Sequence, residues 1–216
     1  MPDVPSGGWL LRAAVPEGTF TLAVEADDVT AAAEHAAFAE RCRPLLLHSV
    51  GDDPDEAEWL QDELTSQLGT MRQAVRKSGL GYLGALAGTH EGDPALILLG
   101  IAATPLAFPE GIDPASLLAS MLRRQHPGAA VEEFDTADGT GVGIRRCEAL
   151  SLPSSGTEAQ DGAPTIEAGI SQAVVPFPQA GLLGTVTGFC FTPAHIDVAT
   201  VFTATIAHHM TVCRPS

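Results

Sequence analysis

Residues 166–191 read IEAGISQAVVPFPQAGLLGTVTGFCF, and this stretch decides the fold class. Ile166–Phe177 is rich in Ile, Val and Phe and stops at Pro178-Gln179-Ala180-Gly181, after which Leu182–Phe191 carries Leu, Val, Thr and Phe. Two β-branched and aromatic runs joined by so short a Pro/Gly turn predict a hairpin, and strands joined that closely run antiparallel. The pair lies largely within the charge-free run Ala168–Ala194. Gln172, Pro176, Pro178 and Gln179 break that run at strand rather than helix spacing, so no transmembrane segment is read there.

The same grammar extends outward. Val131–Phe134 and Val142–Leu150 flank Asp138-Gly139-Thr140-Gly141, and Gly81–Ala87 and Ala95–Thr104 flank Gly88–Pro94. Trp9–Val15 and Thr19–Ala26 form an opening strand pair across Pro16-Glu17-Gly18. Between these pairs lie helices. One covers Asp28 to about Ser49, rich in alanine and interrupted or bent at Pro44. A second is capped by Asp53 with Pro54 at its first position, carries a stripe of Leu60, Leu64, Leu68, Met71 and Val75, and closes with Arg72, Arg76 and Lys77 before Gly79. A third starts at Asp113-Pro114 and ends before Pro127-Gly128; a fourth starts at Thr192-Pro193 and runs to about Cys213. Helices before, between and after hairpins exclude an alternating βαβ chain. The expected fold is α+β: a largely antiparallel sheet of six to eight strands with helices packed on it, in one domain over residues 1–216. An acidic helical region spans about 28–79, and Pro153–Pro164 reads as a solvated loop.

The chain has 216 residues, 45% of them apolar, and a formal charge of −16. A chain of this length buries roughly 70–75% of its unfolded surface and needs neither disulfide nor metal to fold. The acidic balance argues against nucleic acid and anionic membranes as partners, which require clustered Lys and Arg. Lys77 is the single lysine, and it follows Arg76 rather than the glycine of a P-loop. The amino terminus lacks a basic segment followed by an unbroken apolar one, so a cytoplasmic location is expected. Cys42, Cys147, Cys190 and Cys213 are widely spaced and read as buried, reduced thiols.

Motifs for cofactors or catalysis do not emerge, and no cofactor, metal or catalytic residue is expected. Gly79-Leu80-Gly81-Tyr82-Leu83-Gly84 spells GxGxxG, but it leads from a helix into a strand, the reverse of a dinucleotide site. Asp135 with Asp138-Gly139 reads as turn chemistry rather than a calcium loop. In the last helix, His195 and His209 lie about 20 Å apart along the axis and cannot share a metal. His208 and His209 face different directions, and His209 falls on the apolar side with Val198, Phe202, Ile206 and Cys213. His90-Glu91 and His126 lie in turns.

Gln172-Ala-Val-Val-Pro-Phe-Pro178, the glycine turn, Leu182–Phe191, Thr192-Pro193 and a helix with Val201-Phe202 and Ile206-Ala207 resemble actinobacterial members of the PsbP-like family. The resemblance implies an α/β/α sandwich and a binding or adaptor module, in some members a chaperone for secreted proteins, with no catalytic residues to carry over. The acidic region 28–79 departs from the compact family domain.

Charge placement points to interaction independently. Glu25–Glu63 holds twelve acids and two arginines, a net of −10, whereas Pro164–Ser216 holds only Glu167, Asp197 and Arg214. A solvated helical face accounts for the acids without a partner. The competing expectation is that Asp53, Asp55, Glu56, Glu58, Asp62 and Glu63 dock a basic protein segment by electrostatic steering. The nearly uncharged end is the core or, in part, an interface for a homodimer or another partner. The favoured function is a non-enzymatic, protein-binding adaptor or chaperone-like module. The alternative is a hydrolase whose His and carboxylate groups converge only in the fold.

Overall fold

A computed structural model describes residues 3–22, 26–49, 53–78, 81–151 and 165–214. β1 (Asp3–Ser6) and β2 (Trp9–Arg12) meet across Gly7-Gly8, whose positive φ values of 56° and 81° suit a two-residue hairpin turn. β3 (Phe20–Leu22) is followed by α1 (Asp28–Ser49) and α2 (Pro54–Ser78). Asp27 caps α1 by accepting from the Val29 and Thr30 amides at 3.0 and 2.9 Å. Asp53 caps α2 by accepting from Asp55 and Glu56 at 3.0 and 3.3 Å, as its place before Pro54 predicts. α1 runs without interruption through Pro44.

β4 (Tyr82–His90) and β5 (Asp93–Pro105) form a longer hairpin than the sequence suggests. Glu91 and Gly92, with φ 54° and 94°, make the whole turn, so Gly88–His90 and Asp93-Pro94 are strand. α3 (Pro114–Gln125), capped by Asp113, leads to β6 (Ala130–Thr136) and β7 (Gly139–Ser151). β8 (Thr165–Phe177) and β9 (Leu182–Cys190) form the hairpin expected of residues 166–191. A 3₁₀ turn over Pro193–His195 enters α4 (Ile196–His208), and β10 (Thr211–Cys213) closes the described chain. The expected loop at 153–164 lies outside the described residues.

Two sheets result: an antiparallel seven-stranded one in the order β3-β4-β5-β9-β8-β7-β6, and a small one in the order β1-β2-β10. The fold is α+β, with helices on both faces of the large sheet. Strand alternation sorts the apolar residues between those faces. Tyr82, Leu99, Ile101, Ala173, Val175 and Val186 bury against α4 and the small sheet, through Leu11, Ala199, Ile206 and Met210 among others. On the opposite face Leu83, Ala85 and Leu98 meet Phe38, Cys42 and Leu68 of the α1–α2 layer. Val142 and Val174 meet Ala115, Leu118 and Ala119 of α3 on that same side. α4 comes close because β9 offers glycine beneath it. A Cβ on Gly188 would stand 2.9 Å from Thr203 Cγ2 and 3.3 Å from the Ala199 carbonyl oxygen.

Several sequence expectations are corrected. The opening strands do not pair with each other: β2 joins β1 and β10, whereas β3 joins β4 at the edge of the large sheet. The Pro16–Thr19 turn exists, with the Thr19 amide and hydroxyl both donating to the Pro16 carbonyl, but it leads the chain from one sheet to the other. The last helix ends at His208, not near Cys213. The amides of His209 and Met210 donate to carbonyls three residues back, closing the helix, and Thr211 and Val212 extend along β2. His209 is consequently exposed, and the buried side of α4 is Ala199, Thr203, Ile206 and Ala207. Arg72 does not serve a helix end. It is buried and reaches across to α1.

Candidate functional site

The acidic residues singled out in the sequence sit together on the first turns of α2. Asp53, Asp55, Glu56, Glu58 and Asp62 are exposed, and Glu63 is half-buried. Among them stands Trp59, 62% exposed. Asp55 and Glu63 are four residues to either side of Trp59, and Glu56 and Asp62 three, so these four carboxylates lie within about 60° of the indole on the helix wheel. An indole face attracts cations, and surrounding carboxylates reinforce that preference. The opposite side of the helix supplies the reason for this placement: Ala57 and Leu68 are buried, Leu60 and Leu64 half-buried, which leaves position 59 outward. The side chains of Met71 and Val75 are outside the described set. α1 contributes Glu40, whose Oε2 accepts from Gln61 Nε2 at 2.8 Å.

A second feature is a cleft of about 180 Å³ between α4 and strands β6, β7 and β8, lined by Phe134, Gly143, Arg145, Ser171, Thr200 and Thr203 among others. Drug-sized sites start at roughly 300 Å³, so only a small group fits here. Arg145 stands at its rim with its guanidinium 3.0 Å from Asp197 and 4.0 Å from Glu132. Inside, Ser171 Oγ and Thr203 Oγ1 are 2.8 Å apart, and Thr203 donates to the Thr200 carbonyl at 3.0 Å. Thr203 has one hydroxyl hydrogen, so the Ser171 hydrogen bonds to Thr203. A serine activated as a nucleophile hands its proton to a base, and Ser171 instead faces a hydroxyl already committed to a carbonyl.

The histidines are dispersed. His126 lines an open recess of about 370 Å³ with Arg146, Glu148 and the Pro127–Ala129 turn. His90 and His195 meet edge to face at 5.9 Å, tying the β4–β5 turn to the start of α4. His208 bonds through Nδ1 to the Asp135 carbonyl at 2.9 Å, and its ring meets that of its neighbour His209 at 4.8 Å, contrary to the expectation that the two diverge. The helix ends between them, which frees His209 from helical direction. Among the described residues no three His, Cys, Asp or Glu are arranged to hold a metal ion. Cys42 and Cys190 are buried as expected, whereas Cys147, midway along β7, is exposed and Cys213, at the end of β10, is half-exposed.

Sequence reading missed His35, which lies only 3% exposed in the α1–α2 seam. Its signal was available: Ala31, His35, Phe38, Ala39 and Cys42 follow helical spacing on the one buried stripe of α1. Trp59 was likewise passed over, although four acids at helical spacing around an indole are visible in the sequence.

No protein-family model matches the chain, and neither curated proteins nor solved structures give a match.

Proposed function

We propose that the protein is a binding module that docks a basic protein segment on the outer face of α2. The observation that carries this reading is the exposed Trp59 set among Asp55, Glu56, Asp62 and Glu63. A Lys or Arg side chain laid over the indole gains cation–π attraction while its charge is matched by the flanking carboxylates. Burial of an aromatic anchor supplies affinity, and the surrounding charge supplies orientation and association rate. The resemblance of the carboxy-terminal third to PsbP-like adaptors belongs to the same reading, as do a cytoplasmic location and a homodimer. No helix among the described residues is long and apolar enough to cross a membrane. The hydrolase alternative needs two histidines beside a carboxylate in one recess. Of the histidines that could serve it, His90 and His195 meet at 5.9 Å but line neither the cleft at α4 nor the recess at α3, and the recess at α3 holds His126 without a second histidine.

The test is titration with a dye-labelled Lys/Arg-rich peptide, with affinity read from the anisotropy of the peptide for every variant and Trp59 emission read alongside in a Trp9→Phe background. Binding that changes Trp59 emission, weakens as salt is raised and falls at least tenfold on Trp59→Ala or on Asp55→Asn with Asp62→Asn supports the reading. Binding unchanged by these substitutions, or none at low salt, removes it.

A further inference from the structure

We propose that His35 is an acid-sensitive catch in the helical layer: the α1–α2 seam closes around its uncharged ring, and uptake of a proton releases the seam. The ring is buried in a run of apolar neighbours, Ala31, Phe38, Ala39 and Cys42, on the same stripe of α1. Its Nε2 is buried, with no hydrogen-bond partner among the described residues. From α2 comes Arg72, itself only 5% exposed, with its guanidinium bonded to Asp28 at 2.8 Å and to the Ala26 carbonyl. Among the described residues the charges acting on the ring are Arg72 from α2 and Glu34 from α1 itself, and Asp28 is already engaged by Arg72.

A proton on His35 therefore places a second cation in a buried seam beside a fixed one, with a partly buried Glu34 as the opposing charge. Burial first, and Arg72 second, push the ring below the ordinary imidazole value of 6.5. The sign follows from linkage. The unfolded chain takes up the proton at about the ordinary value and the folded chain only at lower pH, so the seam is fully stable above 6.5 and weakens as pH falls through the interval between the two. Carboxylates with ordinary values, near 4, titrate below much of this interval. The inference rests on the α1–α2 seam alone and stands whether or not Trp59 docks a partner.

The experiment uses the full chain. Urea unfolding from pH 8 to 5 is compared for wild type and His35→Leu, and the His35 ring is titrated by proton resonance. The expected result is an unfolding constant rising by up to about tenfold per pH unit below 6.5 in wild type, with that share absent in His35→Leu. Amide exchange, corrected for its intrinsic pH dependence, loses protection in α1 and α2 ahead of β5, β8 and β9. A ring titrating at or above 6.5 in wild type, an equal pH slope in His35→Leu, or protection lost uniformly across sheet and helices overturns the proposal. The ring titration decides the matter even if His35→Leu does not fold.

Discussion

Ser171 on β8 and Thr203 on α4 form a directed hydroxyl chain, Ser171 to Thr203 at 2.8 Å and Thr203 to the Thr200 carbonyl at 3.0 Å. This chain fastens the helix to the sheet at the inner end of the cleft, where both residues are buried. Its direction makes the two ends unequal. Removing the Ser171 hydroxyl leaves Thr203 still donating to Thr200, whereas removing the Thr203 hydroxyl strands a buried donor on Ser171. Ser171→Ala is expected to cost about 1 kcal/mol and Thr203→Val about 1–3 kcal/mol, read from urea midpoints at constant slope. Equal costs would contradict the assigned direction.

Gly188 and Gly143 separate close approach from mere flexibility. Gly188→Ala drives a methyl into Thr203 Cγ2 and the Ala199 carbonyl, and overpacking of this kind costs about 1–3 kcal/mol. At Gly143 the nearest atom to a new methyl is the Glu132 carbonyl oxygen at 3.8 Å, an ordinary contact. Gly143→Ala is therefore expected to be neutral or to stabilise by up to about 1 kcal/mol, through the unfolded chain. Thermal or urea melts of the two variants check the contrast.

The cysteines should differ in reactivity by burial. Burial pushes the Cys42 thiol up to about 11 and raises that of Cys190, so both are expected to resist alkylation at pH 8 until the chain is unfolded. Cys147 is exposed and should label first. Cys147 and Cys190 both pair with Gly169, from β7 and from β9, and so stand two strand spacings apart, roughly 9–10 Å. A disulfide tolerates Cα separations up to about 7 Å, so mild oxidant should not join them. Peptide mapping of the labelled and oxidised protein decides both points.

Asp113 accepts from the Ser116 amide at 2.9 Å, and this bond to the first turn of α3 holds its carboxyl below the ordinary 3.8. The lowered value means that ionised Asp113 stabilises α3 fully above 3.8 and loses that contribution as pH falls through the native value. Asp113→Asn keeps a capping oxygen without the charge. Its stability difference from wild type should be constant from pH 8 to 5 and shrink on acidification toward pH 2. A difference that grows on acidification would refute the cap's electrostatic role.

Local chemistry was legible wherever a residue type and its neighbours suffice. Asp53-Pro54 and Asp113-Pro114 start helices where the sequence says, and Pro178–Gly181 turns the central hairpin as expected. Glu91-Gly92 was legible in kind but not in extent. Seven turn-forming residues in a row conceal that two with positive φ close the hairpin, since the others pair across it once both strands are built. The end of α4 misled for a related reason. Helical periodicity continues through His209 and Cys213, but β2 lies alongside, and pairing with it outweighs another turn of helix.

By itself the sequence determined the class of fold, the three antiparallel hairpins of the large sheet, the caps of α2 and α3 and the concentration of acid in the helical region, because each depends on residues near one another in the chain. Only the tertiary structure decided which strands share a sheet, and it alone sent β2 and β3 to different ones. It also buried His35 within reach of the Arg72 charge, turned Trp59 outward among the carboxylates and joined Ser171 to Thr203. Those relationships depend on the packing of distant segments, where burial removes water and makes each polar neighbour count.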